Sequence, residues 1–285
     1  MPIVNILGAP HAYDLTEPQP QAPTLVFIHG WLLSRSYWQP LIQLLCSTYS
    51  CLSYDLRGFG ESALGRTIAA DPCVGFSLSD YAKDLVILLK TLEISNVWLI
   101  GHSLGGSIAL WGAEQLPQEV QGVICVNSGG GIYLKEEFER FRSAGQKLVK
   151  LRPWWLRHVP LLDLLFTRAS VTQKLDRRWG RQRLLDFLIA HPEAAVGALL
   201  ETTTEAEVHR LPQIVAQLQQ PVYFVAGAQD PIMAPEYVRH LASFHPLFQG
   251  DGANVTEIPD CGHLAMLEQP TTLAARILAL IAQHS

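Results

Sequence analysis

The sequence predicts a doubly wound, mostly parallel α/β sheet carrying a helical insertion. Three observations predict it. Short apolar and β-branched runs alternate with helical patterns at both ends of the chain, as in a parallel sheet covered on both faces. One run, Val97–Ile100, passes through Gly101-His102-Ser103-Leu104-Gly105 into a stretch of small residues. The alternation is interrupted once, between Asn127 and Val222, where only helical patterns occur.

Taken in order, Ile3–Leu7 and Ala12–Leu15, split by Gly8-Ala9-Pro10, read as an antiparallel edge hairpin. Thr24–His29 is a buried strand and Ser36–Cys46 a helix. Cys51–Asp55 is the next strand and Ser79–Leu92 the next helix. Val97–Ile100 and Ser103–Gln115 repeat the pair, and Val123–Asn127 is again a strand. Helical patterns then follow one another at Glu136–Leu151, Leu161–Thr167, Arg181–Ile189 and Pro192–Thr202. Strands resume at Val222–Ala226 and Asn254–Ile258, with helices at Pro235–Phe244 and Pro270–Ala282. Residues 1–130 and 213–285 are therefore expected to form the core, and 131–212 a helical insertion. The insertion is set apart by charge: it holds 14 basic and 10 acidic residues, against 7 and 16 in the remainder.

Composition narrows the function. Hydrophobic residues make up 48% of the 285 and charged residues 16%, so a large core is expected and disorder is not. A net charge of −5 argues against general nucleic-acid binding, which needs a basic face. The cysteines, Cys46, Cys51, Cys73, Cys125 and Cys261, are scattered and form no C-x-x-C pair. No metal site or disulfide framework is expected, and reduced thiols in a cytoplasmic protein are. Met1–Leu15 lacks the marks of a signal peptide, and no apolar run reaches the roughly 18 residues of a membrane span. The glycosylation sequon Asn254-Val255-Thr256 is expected to lie in a strand.

Ser103 sits on a turn so sharp that only small neighbours fit, and its hydroxyl is presented at a helix N-terminus. Together with His29-Gly30-Trp31, the run from Tyr54-Asp55-Leu56-Arg57 to Ser62, Gly227-Ala228-Gln229-Asp230-Pro231 and Asp260-Cys261-Gly262-His263, this resembles the α/β-hydrolase superfamily over nearly the whole chain. The order nucleophile, acid, histidine is that of the superfamily.

A serine hydroxyl is a poor nucleophile until an imidazole takes its proton, and a carboxylate must orient that imidazole. Ser103 is the expected nucleophile. His263, shortly after a strand and flanked by glycine, is the expected base; His29, His102 and His245 lack that setting. Asp230 is the expected acid, because it ends a strand where open α/β sheets place their sites. The preceding strand ends in Asn127-Ser128, without a carboxylate. The oxyanion hole is expected to use the backbone N–H of Leu104 and, as the resemblance implies, that of Trp31. The Trp31 indole is expected in the pocket. Asp55 and Arg57 read as structural.

By the same resemblance the insertion is a cap that shapes the substrate pocket. Its Leu151–Leu162 stretch places Trp154 and Trp155 as an apolar roof over Ser103, with Arg152 and Arg157 at the rim able to attract an anionic head group. The stretch also fits a peripheral membrane contact.

The expected activity is cofactor-independent cleavage of a carboxylic ester or thioester with an apolar acyl or alcohol part. The expected partner is a small lipophilic molecule. Two alternatives share the fold: a carbon–carbon bond hydrolase, and a haloperoxidase- or perhydrolase-like enzyme. The first usually has a glycine-rich oxyanion loop, which Trp31-Leu32-Leu33 is not. A third, of another class, is a slow-turnover ligand receptor or scaffold. An aspartate-nucleophile mechanism is excluded by Ser103.

Overall fold

The computed structural model describes residues 2–19, 21–63, 75–130 and 135–284. Cys73 and the expected cap boundary at Gly131 lie outside them.

The hairpin forms from β1 (Ile3–Ile6) and β2 (Ala9–Leu15). Its turn is Leu7-Gly8, both at positive φ (52° and 85°), as a two-residue hairpin turn of matching twist requires. Ala9 and Pro10, expected in the turn, pair in the ladder with Ile6 and Asn5. The chain continues through β3 (Thr24–Ile28), α1 (Gln39–Leu45), β4 (Cys51–Tyr54) and α2 (Leu78–Thr91). A capping box between Ser77 and Asp80 starts α2. Next come β5 (Val97–His102), α3 (Leu104–Gln115) and β6 (Val120–Val126).

The cap region contains α4 (Lys135–Lys150), a 3₁₀ turn at Trp154–His158, α5 (Leu162–Arg168), α6 (Arg177–Ile189) and α7 (Pro192–Thr202). The chain re-enters the core through α8 (Glu205–Gln217) and β7 (Val222–Gly227). It ends with α9 (Pro235–Ala242), β8 (Val255–Ile258), α10 (Ala265–Glu268) and α11 (Pro270–Ala282). Pro212, the expected end of the cap, lies inside α8, which packs on α3 and α9 of the core. The helix that supports the crossover from β6 to β7 therefore begins before Pro212. Asn254 immediately precedes β8 and is buried, its Nδ2 donating to the Val222 and Ala242 carbonyls.

The eight strands run in the order β1-β2-β4-β3-β5-β6-β7-β8. Pairing is parallel from β4 to β8 and antiparallel at β1 and β2. One face of the sheet is covered around Leu85, Leu88, Ile108, Ile214 and Val238, and the other around Leu41, Leu45, Ile277 and Ile281. Burial on both faces explains why β5 and β7 are apolar without alternation. The parallel strands end at one edge, where the ends of β3, β5, β6 and β7 lie side by side. No helix of the described residues is long and apolar enough to cross a membrane.

Candidate active site

Ser103 joins β5 to α3 with φ 51° and ψ −117°, a conformation that costs strain in a non-glycine residue. The neighbours permit it. A Cβ on Gly101 would overlap the Gly105 carbonyl, and one on Gly105 would overlap the Ile28 carbonyl of β3. The serine N–H is held by the Val126 carbonyl at 3.0 Å. Leu104 opens α3, so its N–H has no acceptor within the helix. Register pairs Ile28 with Gly101, which brings the Gly30-Trp31 loop beside the elbow.

Asp230 follows β7 and is buried. Its Oδ1 accepts the Ile232 and Met233 N–H groups at 2.8 and 2.9 Å. Its Oδ2 accepts from His263 Nδ1 at 2.7 Å and from Asn127 Nδ2 at 2.8 Å. Burial raises the Asp230 pKa, but the His263 ring and the two backbone donors outweigh it and hold the carboxyl below its ordinary range. An ionised carboxylate only accepts, so the proton of that pair sits on His263 Nδ1. Nε2 is then the ring atom without that proton.

The loop that carries His263 is fixed on several sides. The His263 N–H donates to the Ser170 carbonyl at 2.8 Å. Its own carbonyl accepts from His102 Nε2 at 2.7 Å, and the two rings stack edge to face with centroids 4.7 Å apart. Burial keeps His102 neutral by lowering its pKa well below 6.5. Buried Glu268 accepts the N–H groups of Gly262 and Leu264, on either side of His263. It also accepts those of Thr172 and Gln173 in the cap, at 2.7 and 3.0 Å. Asn127 and Glu268 are support residues that the sequence did not single out. In the sequence the second is legible only as an acidic residue five positions after His263.

Ser103 and His263 line one cavity of about 250 Å³. Trp31, Leu32, Leu33, His102 and Leu264 contribute from the core side, and Leu148, Phe166, Arg183 and Phe187 from the cap. Ile232 completes the wall. The Trp31 indole also donates to the Ala195 carbonyl of α7 at 2.9 Å, tying the core loop to the cap.

Trp154 and Trp155 do not line this cavity, contrary to expectation. They are 48% and 61% exposed, because no residue of their 3₁₀ turn is buried. The cap turns Phe166 and Phe187 inward instead, their rings tilted against each other with centroids 5.2 Å apart. The two expected rim arginines are also elsewhere. Arg157 covers the Trp154 ring at 4.6 Å, and Arg152 donates to the Phe187 carbonyl at 2.7 Å.

The residues read as structural are held as such. His29 accepts the Leu56 N–H at 2.9 Å, and burial lowers its pKa to about 4. Asp55 accepts the Arg35 and Glu61 N–H groups and pairs with the Arg35 guanidinium. Arg57 pairs with Asp84 at 2.9 Å. His245 caps a 3₁₀ turn. The cysteines among the described residues are free thiols, and burial pushes Cys51 and Cys261 up to about 12, which makes them poor nucleophiles.

The model of the alpha/beta hydrolase fold family matches residues 23–270. The chain is 30% identical over 282 residues to the 2-succinyl-6-hydroxy-2,4-cyclohexadiene-1-carboxylate synthase of Yersinia pseudotuberculosis, covering 97% of this chain and 93% of that protein. It superposes on a thermophilic esterase from Thermogutta terrifontis with TM-score 0.78 at 22% identity, over 100% and 99% of the two chains. A bromoperoxidase from Bacillus anthracis superposes equally well, TM-score 0.78 at 19% identity, over 99% of each chain.

Proposed function

Since the chain belongs to the alpha/beta hydrolase fold family, we propose that it is a serine hydrolase that cleaves a carboxylic ester or thioester through an acyl-enzyme on Ser103. The observation that carries the reading is the 2.7 Å bond from His263 Nδ1 to Asp230 in the wall of a cavity that also exposes Ser103. In that arrangement His263 Nε2 accepts the Ser103 proton as Oγ attacks the carbonyl carbon. Asp230 holds the tautomer and balances the imidazolium. The N–H groups of Leu104 and Trp31 are proposed to receive the developing oxyanion, and the helix terminus of α3 favours the same charge. His263 then gives its proton to the departing alkoxide or thiolate. Water, deprotonated by the same imidazole, releases the acid.

The apolar walls around Phe166, Phe187 and Leu148 support a small, mainly lipophilic substrate. The cap is proposed to comprise the helices α4 to α7, and the protein to work in the cytoplasm. The test is fluorophosphonate labelling followed by mass spectrometry, with turnover of chromogenic esters. The adduct is expected on Ser103, and Ser103→Ala is expected to lose at least roughly three orders of magnitude in turnover while remaining folded. An adduct elsewhere refutes the assignment.

A second reading keeps the same three residues but uses them in forming a carboxylated cyclohexadiene, as the name of the Yersinia relative indicates. Its support is the identity across 97% of the chain. Labelling of Ser103 without turnover of any ester in the series favours it.

A further inference from the structure

Among the described residues, Arg183 on α6 is the one Lys or Arg side chain in the wall of the cavity shared by Ser103 and His263. Its side chain is part-buried, and desolvation lowers its pKa. Arginine nevertheless stays protonated in proteins, so a positive charge faces the cavity. One of its N–H groups donates to Ser170 Oγ, which leaves four donors.

No carboxylate of the described residues comes within ion-pairing distance of it. The two buried arginines among the described residues are paired: Arg35 with Asp14, Asp55 and Glu61, and Arg57 with Asp84. Asp186, on the same helix, and Tyr37 act on it through space without an ion pair; Asp186 accepts its hydrogen bonds from Ser34 Oγ and Gln182 Nε2, each at 3.0 Å. Burial raises Asp186 to about 7, so near neutral pH it is only partly ionised. The histidines of the cavity supply no counter-charge, and the remaining wall is mostly apolar. Keeping an unpaired charge in such a place is costly unless a ligand completes it.

We infer that Arg183 is a subsite for a carboxylate on the substrate, so that the preferred ester carries an anionic end beyond an apolar stem. The inference rests on the serine-hydrolase reading and names its substrate class. Ser170 fixes the geometry, because its Oγ holds Arg183 while its carbonyl holds the His263 N–H. The guanidinium is thus set at a constant place relative to the reacting centre. The cavity sets the size. At roughly 30 Å³ per water-sized group, about 250 Å³ admits a short half-ester of a dicarboxylic acid. The charge-assisted, forked geometry of guanidinium and carboxylate supplies the selectivity.

The test compares two chromogenic esters of matched shape, the 4-nitrophenyl half-ester of glutaric acid and 4-nitrophenyl 5-methylhexanoate. The wild type is expected to prefer the anionic ester by about tenfold or more in kcat/KM. Arg183→Gln is expected to remove that preference by a loss of roughly ten- to hundredfold on the anionic ester, with a much smaller loss on the neutral one. Arg183→Lys is expected to recover part of it. Equal losses on both esters, or no preference in the wild type, overturn the subsite.

A second arm does not depend on turnover. Binding of monomethyl glutarate to the Ser103→Ala protein, followed by calorimetry, is expected to vanish in Ser103→Ala/Arg183→Gln. Binding that depends on Arg183 without turnover of either ester keeps the subsite and overturns the esterase reading. Binding that is absent, or unchanged by Arg183→Gln, overturns the subsite whatever the turnover.

Discussion

Asn127 donates its side-chain N–H to Oδ2 of Asp230 at 2.8 Å, and this is the same oxygen that faces His263. The Asn127 Nδ2 group also reaches the Gly262 carbonyl at 3.1 Å, one residue before the histidine. Asn127 follows β6 at a positive φ of 49°, which asparagine tolerates better than most residues. One amide thus ties the acid to the loop that carries the base.

That tie predicts a mechanistic cost. Asn127→Ala removes a hydrogen bond to a charged, buried acceptor, a contact worth about 1.5–3 kcal/mol. A fall in kcat of roughly ten- to hundredfold, with KM little changed, is expected. Steady-state kinetics on one ester decide it; an unchanged kcat would remove Asn127 from the site.

Asp230→Asn tests the orienting role directly. The amide keeps the shape but lets the ring present the wrong tautomer. A loss on the order of 10⁴ in kcat is expected, with the fold retained. Near wild-type turnover in this variant moves the acid to another residue.

The cavity predicts a chain-length profile. Each buried methylene contributes up to about 0.8 kcal/mol, which is up to roughly fourfold in kcat/KM. Values for neutral straight-chain esters are expected to rise from acetate and turn over once the acyl chain fills the space. Phe187→Ala enlarges the wall and is expected to move the optimum to longer chains. Trp155→Ala, on the exposed 3₁₀ turn, is expected to leave it in place. A flat wild-type profile from acetate to octanoate would sink the apolar-wall argument.

Asp186 predicts a pH dependence of stability. Its folded pKa, about 7, lies above the ordinary carboxylate value of about 3.9. Between those values the folded state binds more protons than the unfolded state. The contribution is therefore fully present below about pH 4 and is lost as pH rises through about 7, at up to about 1.4 kcal/mol per pH unit. Denaturant unfolding of the wild type and Asp186→Asn across this range measures it. The wild type is expected to weaken relative to the variant as pH rises; a constant difference refutes the assignment.

The amino-acid order determined the sheet, the elbow and the three residues proposed for catalysis, because each depends on short-range rules. Gly101 and Gly105 are legible since a tight turn between strand and helix excludes any Cβ. Asp230 and His263 are legible since parallel strands carry their polar ends to one edge. The hairpin turns at Leu7-Gly8, so its second strand begins at Ala9, three residues before the expected Ala12.

Only the tertiary structure decided which face of the cap turns inward. Trp154 and Trp155 are adjacent aromatic residues that lie outside, while Phe166, Phe187 and Arg183 line the cavity. The phase of a cap helix is set by its packing on other helices, with α5 against α6 and α4 against α7. Those contacts join residues far apart in sequence, as do Asn127 with Asp230 and Glu268 with Thr172. Local pattern fixes periodicity along an element, but the rotation of that element about its axis is chosen by what it packs against.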